Sequence, residues 1–511
     1  MQAKVQTVFL KLVQVGLITL LLITLLGALQ SIQLDVAMLS STMVTALLTV
    51  LIVGLFIETI PKLRQGVISG LIRTVRWIQH HDILVGLIVL GLVLIVQGLV
   101  IYYVQQPQSW DVSGTVIAAG SDALAQQYRE YYSFYPNNLF LMSVMRVFRL
   151  LSGISLHSEA SYWVFFQVLN VIGLDLSAII LFVACRRAFG RQVNLIASAF
   201  YVVLMLLSPY IQVPYSDTFV LLPICLVFLL GTYFTKNRKW WLQCLLAALI
   251  GLLLPIIMAI KPSAVVFVIA WGIVVLLRLH RVDAKKLALS GAVLIACVAG
   301  IGLGHLTTEG MISHYSPIKI QSDRALPWQH WVGMGMIGTG AYNTNDVLQI
   351  EKYKTTEEMK KYAIKVIKKR INDYSFRNYV KFIVVKQQRN MSDGDFAWGV
   401  EGRYMPPFKA TTSHVQGVIR SIYSFNASHQ ADRALVVQLV WITLLIGLIV
   451  QGLTCSDIRD ETLILKIAIA GGCLFLLLFE GGRSRYIIQF LPELVIVAAT
   501  GWHRLALRKT K

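Results

Sequence analysis

Charge is scarce in this chain and acid is scarcest: 14% of its 511 residues are charged, with 26 Asp and Glu against 46 Lys and Arg. Soluble domains carry roughly 25% charged residues, so an ordinary soluble fold is excluded. Zinc-ligand spacings and RNA-binding signatures are missing, and the cations lie mainly between apolar runs, so the net charge of +20 does not point to nucleic acid. The short basic loops on the cytoplasmic side, the longest running about twenty residues from Pro61 to Asp82, have no room for a βαβ unit of about 30 residues opening on a glycine-rich turn. This argues against cytoplasmic use of ATP or a nucleotide sugar. Neither an internal repeat nor a low-complexity linker divides the chain. The cysteines at 185, 225, 244, 297, 455 and 473 lie in apolar runs or on their basic side, so the remaining loops hold no disulfide.

What is present is apolar. Hydrophobic residues make up 56% of the chain and mean hydropathy is +0.66, values that predict an all-α polytopic membrane protein. About twelve transmembrane helices of roughly 17 to 25 residues are expected. Their centres fall near residues 20, 48, 94, 172, 202, 225, 250, 271, 296, 443, 471 and 494, and those near 202 and 225 are separated only by "SPYIQVPYSD". Lys4, Lys11, Lys62, Arg64, Arg73 and Arg76 fall on one side of these spans. Arg186, Arg187, Arg191, Lys236, Arg238 and Lys239 fall there too, as do Arg278, Arg281, Lys285, Lys286, Arg504, Arg508, Lys509 and Lys511. The excess of cations in short loops marks that side as cytoplasmic. Both termini are then inside a bacterial plasma membrane, and loops 105–160 and 306–433 face outward. The second is rich in Lys and Arg, but long loops translocate largely regardless of charge. The apolar run Leu12–Leu29 follows a basic start, yet its length and poor cleavage site favour a retained helix over a cleaved signal. The chain divides into two N-terminal spans (1–82), a core region (83–305), the large loop (306–433) and C-terminal spans with a basic tail (434–511).

Both outer loops carry amphipathic patterns. Val116, Ala119, Ala123 and Leu124 predict a surface helix over 114–128, and Pro136 with Asn137 or Asn138 precedes a helix over 139–151. Tyr131, Tyr132, Phe134 and Tyr135 read chiefly as interfacial anchors, with sugar stacking as the alternative. In the larger loop Thr355 and Glu358 have capping-box spacing, and Met359, Ala363, Ile367 and Ile371 share a face. "SFRNYVKFIVVKQQRN" predicts a second helix, and both basic helices suit anionic headgroups. "PWQHWVGMGMIGTGAYNTND" reads as an irregular loop near the membrane.

Ionisable side chains gather at the outer ends of spans. Asp111 follows one span and Asp217 opens another; Lys261 sits in a tight turn, and Glu480, Arg483 and Arg485 occupy "EGGRSRY". Such groups are costly at membrane depth and tend to face a cavity or bundle interior. Lys261, Arg483 and Arg485 have the chemistry of a phosphate pocket. Asp111 and Asp217 can take a proton or hold a divalent cation such as Mg or Mn.

With these motifs in order, "SWDVSGT", "YYSFYPNN", "YSDTF", "IKPS", "WQHWVGMGM" and "EGGRSRYIIQFLPE", the chain from about Ile83 to Trp502 resembles the glycosyltransferase C superfamily. The likeness is to its multi-spanning bacterial enzymes related to protein O-mannosyltransferases and the lipid A aminoarabinose transferase, and within them to a Gram-positive subgroup. The resemblance implies a glycosyltransferase that moves a sugar from a polyprenyl-phosphate donor to a cell-surface glycan or lipid acceptor. It makes Asp111 the catalytic position of the first outer loop and Asp217 its partner. The adjacent acidic pair usual there is absent, since Val112 follows Asp111. An inverting transfer is expected, with Asp111 as base and the three cations stabilising the departing phosphate. Tyr131, Tyr135, Asn137, His330, Glu480 and Tyr486 are the expected lining. A lipid-linked glycan polymerase or ligase, and a transporter or flippase, remain alternatives.

Overall fold

The structure, a computed structural model, describes residues 2–236, 239–278, 284–400, 405–454 and 459–508. Arg238, Arg281, Cys455, Lys509 and Lys511 lie outside the described residues, as do the side chains of Lys4, Lys236, Arg278, Lys285, Lys286 and Arg508. The protein is 82% helical, and no strand occurs among the described residues.

Nine helices among the described residues are long and apolar enough to cross a bilayer: Val8–Ile32, Ser41–Thr59, Asp82–Tyr103, Glu159–Phe189, Ser216–Thr235, Trp240–Ile260, Ser290–Tyr315, Gln430–Thr454 and Asp460–Leu478. The spans expected near 202, 271 and 494 correspond to less decisive elements. Arg191–Leu206 and Pro262–Leu277 are shorter apolar helices. Leu491–Arg508 has the length but carries Glu493, His503, Arg504 and Arg508. The first of these widens into a π turn at Val202–Leu206 and stops before Pro209, which cannot continue a helix from within. The segment after the second span is itself a helix, Pro61–His80, started by Pro at its first position.

Helix packing is tightest between Trp240–Ile260 and Ala284–Tyr315. There Gly251 lies against the carbonyl of Cys297, Gly300 against that of Ala248 and Gly304 against that of Leu252, so a Cβ at any of the three would strike backbone. At one end of the bundle Asp82, which opens its helix, is paired with Arg186 Nε at 3.1 Å and Arg191 Nε at 3.8 Å. At the other end the two polar loops pack on each other. Gln126 Nε2 donates to the Pro317 carbonyl at 2.6 Å, Arg129 Nε to that of Lys319 at 2.9 Å, and Leu326 N to that of Phe134 at 3.1 Å.

Three local expectations change. The helix expected over 114–128 begins at Asp111 and ends at Gly120, and Ser121 then caps a new short helix by accepting from Leu124 N. Gly120 packs directly on the Tyr162 ring, so the chain turns there. "PWQHWVGM" is no irregular loop: Trp328–Met334 is a short helix following Pro327, with turns only beyond it. Asn138 stands at the start of the helix Leu139–Ser152 without capping it, its side chain being engaged elsewhere. The capping box of Thr355 and Glu358 is present and opens the helix Thr356–Asp373, and Ser375 caps Phe376–Met391. On the first of these Met359 and Ala363 are buried, whereas Ile371 is 57% exposed.

Candidate functional site

The site is built where four chain segments meet at the loop end of the bundle. Asp217 opens its span from the first turn of Ser216–Phe219, and its side chain is buried. Lys261 is the residue on which the helix Trp240–Ile260 ends, before Pro262 forces a new turn. Arg485 lies in the 3-10 segment Ser484–Phe490. Lys261 Nζ contacts Asp217 Oδ1, and Arg485 Nε stands 3.5 Å from Oδ2. Ser263 Oγ donates to Gln489 Oε1 at 2.6 Å, which ties the lysine turn to the arginine segment. A carboxylate held between two buried cations leaves a net positive trio, and burial lowers the Lys261 ammonium against the pull of Asp217.

Asp111 stands apart from that trio. It is half-buried, and among the described residues no cation lies within ion-pair distance of it. The Tyr215 hydroxyl donates to Asp111 Oδ2 at 3.2 Å and lies equally close to Asn138 Oδ1; Asn138 Nδ2 donates to the Tyr131 hydroxyl at 2.6 Å. Burial, and after it the Asp111 charge, pushes the Tyr215 phenol upward, so it stays a proton donor. Trp110 links the two halves: its ring centroid is 3.9 Å from the Arg485 guanidinium carbon and 5.3 Å from the Tyr215 ring. Arg485 is thus a cation over an aromatic face as well as a partner of Asp217.

The third part is the turn after Asp460–Leu478. Tyr486 donates to Glu480 Oε1 at 3.1 Å, and Arg483 Nε lies 3.8 Å from the same oxygen. Burial raises the Glu480 carboxyl; Arg483 and the Tyr486 hydroxyl pull it back. The Tyr486 ring also faces Lys261 Nζ at 4.9 Å. Lys386, wholly buried, clamps this turn. Its Nζ donates to the carbonyls of Gly335 at 2.5 Å, Phe479 at 2.7 Å and Leu477 at 3.0 Å, placing its charge at the negative end of the helix Asp460–Leu478. Asn390, one turn on, accepts from Gly482 N, and Gly481 N donates to the Gly340 carbonyl at 2.8 Å.

The structure therefore brings together Asp111, Asp217, Lys261, Glu480, Arg483, Arg485, Tyr486, Tyr131 and Tyr135. The Tyr135 ring is 5.1 Å from that of Tyr131. Of the aromatic run read as interfacial anchors, Tyr132 and Phe134 are buried core and Tyr131 and Tyr135 line the site. Asn137 is exposed at the edge, donating to Asn138 Oδ1 at 3.2 Å. His330 is not in the site. It lies behind Trp331, whose ring is 5.9 Å from Tyr135, and lines a separate small cavity with Asp346, Tyr362 and Arg370. Its Nε2 is buried there without a partner, and burial pulls the imidazole down to about 4.

A divalent cation has poor prospects at Asp217, because both oxygens already face cations. Among the described residues no three His, Cys, Asp or Glu side chains are grouped to hold a metal. Trp110, Tyr215, Asn138 and Lys386 were missed in the sequence. Trp110 precedes Asp111 by one residue and Tyr215 precedes Asp217 by two, although Tyr215 donates to Asp111 and not to its neighbour, and Phe382, Lys386 and Asn390 recur at helical spacing.

A family profile described as conserved hypothetical integral membrane protein matches residues 4–505. No curated protein matches the chain.

Proposed function

The chain belongs to that family of integral membrane proteins, and on this premise we propose that it is a membrane glycosyltransferase of glycosyltransferase C type. It takes a polyprenyl-phosphate sugar and transfers the sugar to a cell-surface acceptor on the outer face. The observation that carries this reading is the juxtaposition of a half-buried, Tyr215-held carboxylate with a cationic trio across a single indole, Trp110. A lipid donor fits because the site sits where spans end, so a phosphate at headgroup level meets Arg485 and Lys261 while its chain stays in the bilayer.

In the reaction Asp111 takes the proton of the acceptor hydroxyl, whose oxygen attacks the anomeric carbon. The bond from that carbon to the phosphate oxygen breaks, and its electron pair leaves with the polyprenyl phosphate. Lys261, Arg483 and Arg485 offset the charge growing on that phosphate. Asp217 holds two of these cations in place before the donor arrives. One displacement inverts the anomeric centre.

The test is turnover by the purified protein in lipid discs with polyprenyl-phosphate hexoses, reading release of polyprenyl phosphate. Release that depends on Asp111 supports the reading, and unchanged release by Asp111→Asn defeats the assignment of the base. In a deletion strain, accumulation of a lipid-phosphate monosaccharide is expected. Accumulation of a lipid-linked oligosaccharide points instead to a polymerase or ligase.

A further inference from the structure

The helix Thr356–Asp373 presents two faces with different fates. Its inner face, including Met359, Ala363 and Val366, packs on the short helix Trp328–Met334. Its other face carries Lys361, Lys365, Lys368 and Lys369, all exposed. The spacing sets these four on one stripe about 12 Å long at 1.5 Å per residue. The helix's own acids do not neutralise the stripe: Asp373, exposed at its end, makes no ion pair with a described lysine. Glu357 faces Lys360 at 3.6 Å, and Glu358 turns back to the backbone of Lys354 and Thr355 in the capping box. Among the described residues none of the four lysines has an ion-pair partner.

The direction of the stripe decides what it meets. The layer beneath the helix rests on the end of the span Asp460–Leu478: the Trp328 ring is 6.4 Å from Phe479, and the Gly335 and Phe479 carbonyls share Lys386. The order is bundle, then loop layer, then lysine helix, and the stripe faces away from the loop layer on which the helix packs. Headgroup binding by this helix, expected from its sequence, is the alternative that the experiment below separates; the neighbouring helix Phe376–Met391 packs on the spans Val8–Ile32 and Asp460–Leu478.

We infer that the lysine face of Thr356–Asp373 docks a polyanionic polymer of the cell surface, with acidic groups repeating along its length, as the acceptor strand for Asp111. Four charges in a line suit a repeated anion better than a single phosphate, and exposed charges of one sign also raise the rate of encounter. The way to the site is short. Arg370 and Tyr362 on the same helix line the His330 cavity, and Trp331 and Tyr135 lead from there to Tyr131. The acceptor role rests on the transferase reading, but the docking does not.

The experiment measures binding without turnover. The full chain in phosphatidylcholine discs is titrated with fluorescently labelled poly(glycerol phosphate), and with neutral dextran as control. Saturable binding that weakens steeply with salt is expected for the phosphate polymer alone. The variant K361Q/K365Q/K368Q/K369Q should bind at least 10-fold more weakly and with a shallower salt dependence, and the four-arginine variant should restore both. All four positions are exposed, so an unchanged melting temperature certifies folding. Equal binding by parent and glutamine variant overturns the inference. So does protection of the lysines from amine labelling only when the discs contain anionic lipid, which assigns the stripe to headgroups. If the polymer binds as expected yet no lipid-linked sugar is turned over, the transferase reading fails and the docking surface stands.

Discussion

The ammonium of Lys261 rests against Oδ1 of Asp217, and both side chains are buried. Together with Arg485 they form a fixed charge cluster, whereas Asp111 nearby is half-exposed and held by a single hydroxyl. The two aspartates therefore differ in what their loss removes.

Asp217→Asn removes the buried carboxylate that Lys261 and Arg485 both face, and breaking such a buried pair costs about 3 to 5 kcal/mol. A large drop in melting temperature and poor recovery from the membrane are expected. Asp111→Asn keeps shape and loses only the base, so its melting temperature should stay near that of the parent while turnover falls about 100- to 10,000-fold. Thermal unfolding and turnover measured on both variants separate the roles. A stable Asp217→Asn protein would contradict the cluster's structural weight.

Tyr215→Phe deletes the donor to Asp111 and to Asn138 without opening a void. A hydrogen bond to a charged group is worth about 1.5 to 3 kcal/mol, so turnover should fall roughly 10- to 100-fold with stability nearly unchanged. Single-turnover rates with saturating donor would show it. A change confined to donor affinity would mean that Tyr215 serves the lipid phosphate and not the carboxylate.

His330 should make the protein acid-sensitive. Its imidazole is held at about 4, with Asp346 opposing burial and Arg370 adding to it, against an ordinary value of 6.5. Between these values the unfolded chain binds the extra proton and the folded chain does not. The contribution of this group is thus complete above pH 6.5 and is lost as pH falls through about 4, amounting to about 3 kcal/mol at 1.36 kcal/mol per unit. Melting temperatures from pH 7 to 4 should fall less steeply in His330→Asn than in the parent.

Lys386 predicts a divergence between activity and stability at high pH. Burial lowers its ammonium to about 8, against the pull of Glu480. Between about 8 and the unfolded value of 10.5 the unfolded chain holds more protons, so this group's contribution to stability rises with pH through that window. The neutral amine, however, has two hydrogens for three carbonyls, and the turn carrying Glu480, Arg483 and Arg485 loosens. Turnover should decline above about pH 8 without a matching drop in melting temperature. Lys386→Met should be weakly active and flat over the same range; an alkaline decline that persists in it would count against the clamp.

The pattern of apolar runs made most of the spans legible, because a helix in lipid must satisfy its backbone internally and needs a minimum length. Of the three elements that fell short, Arg191–Leu206 stops before Pro209 and Leu491–Arg508 carries Glu493 and Arg504, whereas the helix that Pro262 opens is described only as far as Arg278. Gathering charges at span ends found Asp217, Lys261 and Arg485, since span ends on one side must be neighbours in some order. The pairing itself was invisible: nothing in "YSDTF" or "IKPS" says that the lysine is spent on the aspartate. His330 lines a different cavity, with Asp346 and Arg370, because Trp328–Met334 forms a helix that the glycines around it did not suggest. Tyr215 acts across 104 residues, a distance that no local pattern encodes.

The glycine contacts of Gly251, Gly300 and Gly304 have a mechanical consequence. Two helices whose main chains touch at three successive levels cannot shear past each other, so Trp240–Ile260 and Ala284–Tyr315 behave as a double beam. One of its ends carries Lys261 and the other strand of the beam runs into the 306–433 loop. The spacing between the buried cation and the root of that loop is thereby set like the legs of a caliper. On the proposed reading, the polyprenyl chain of the donor enters along another flank of the bundle.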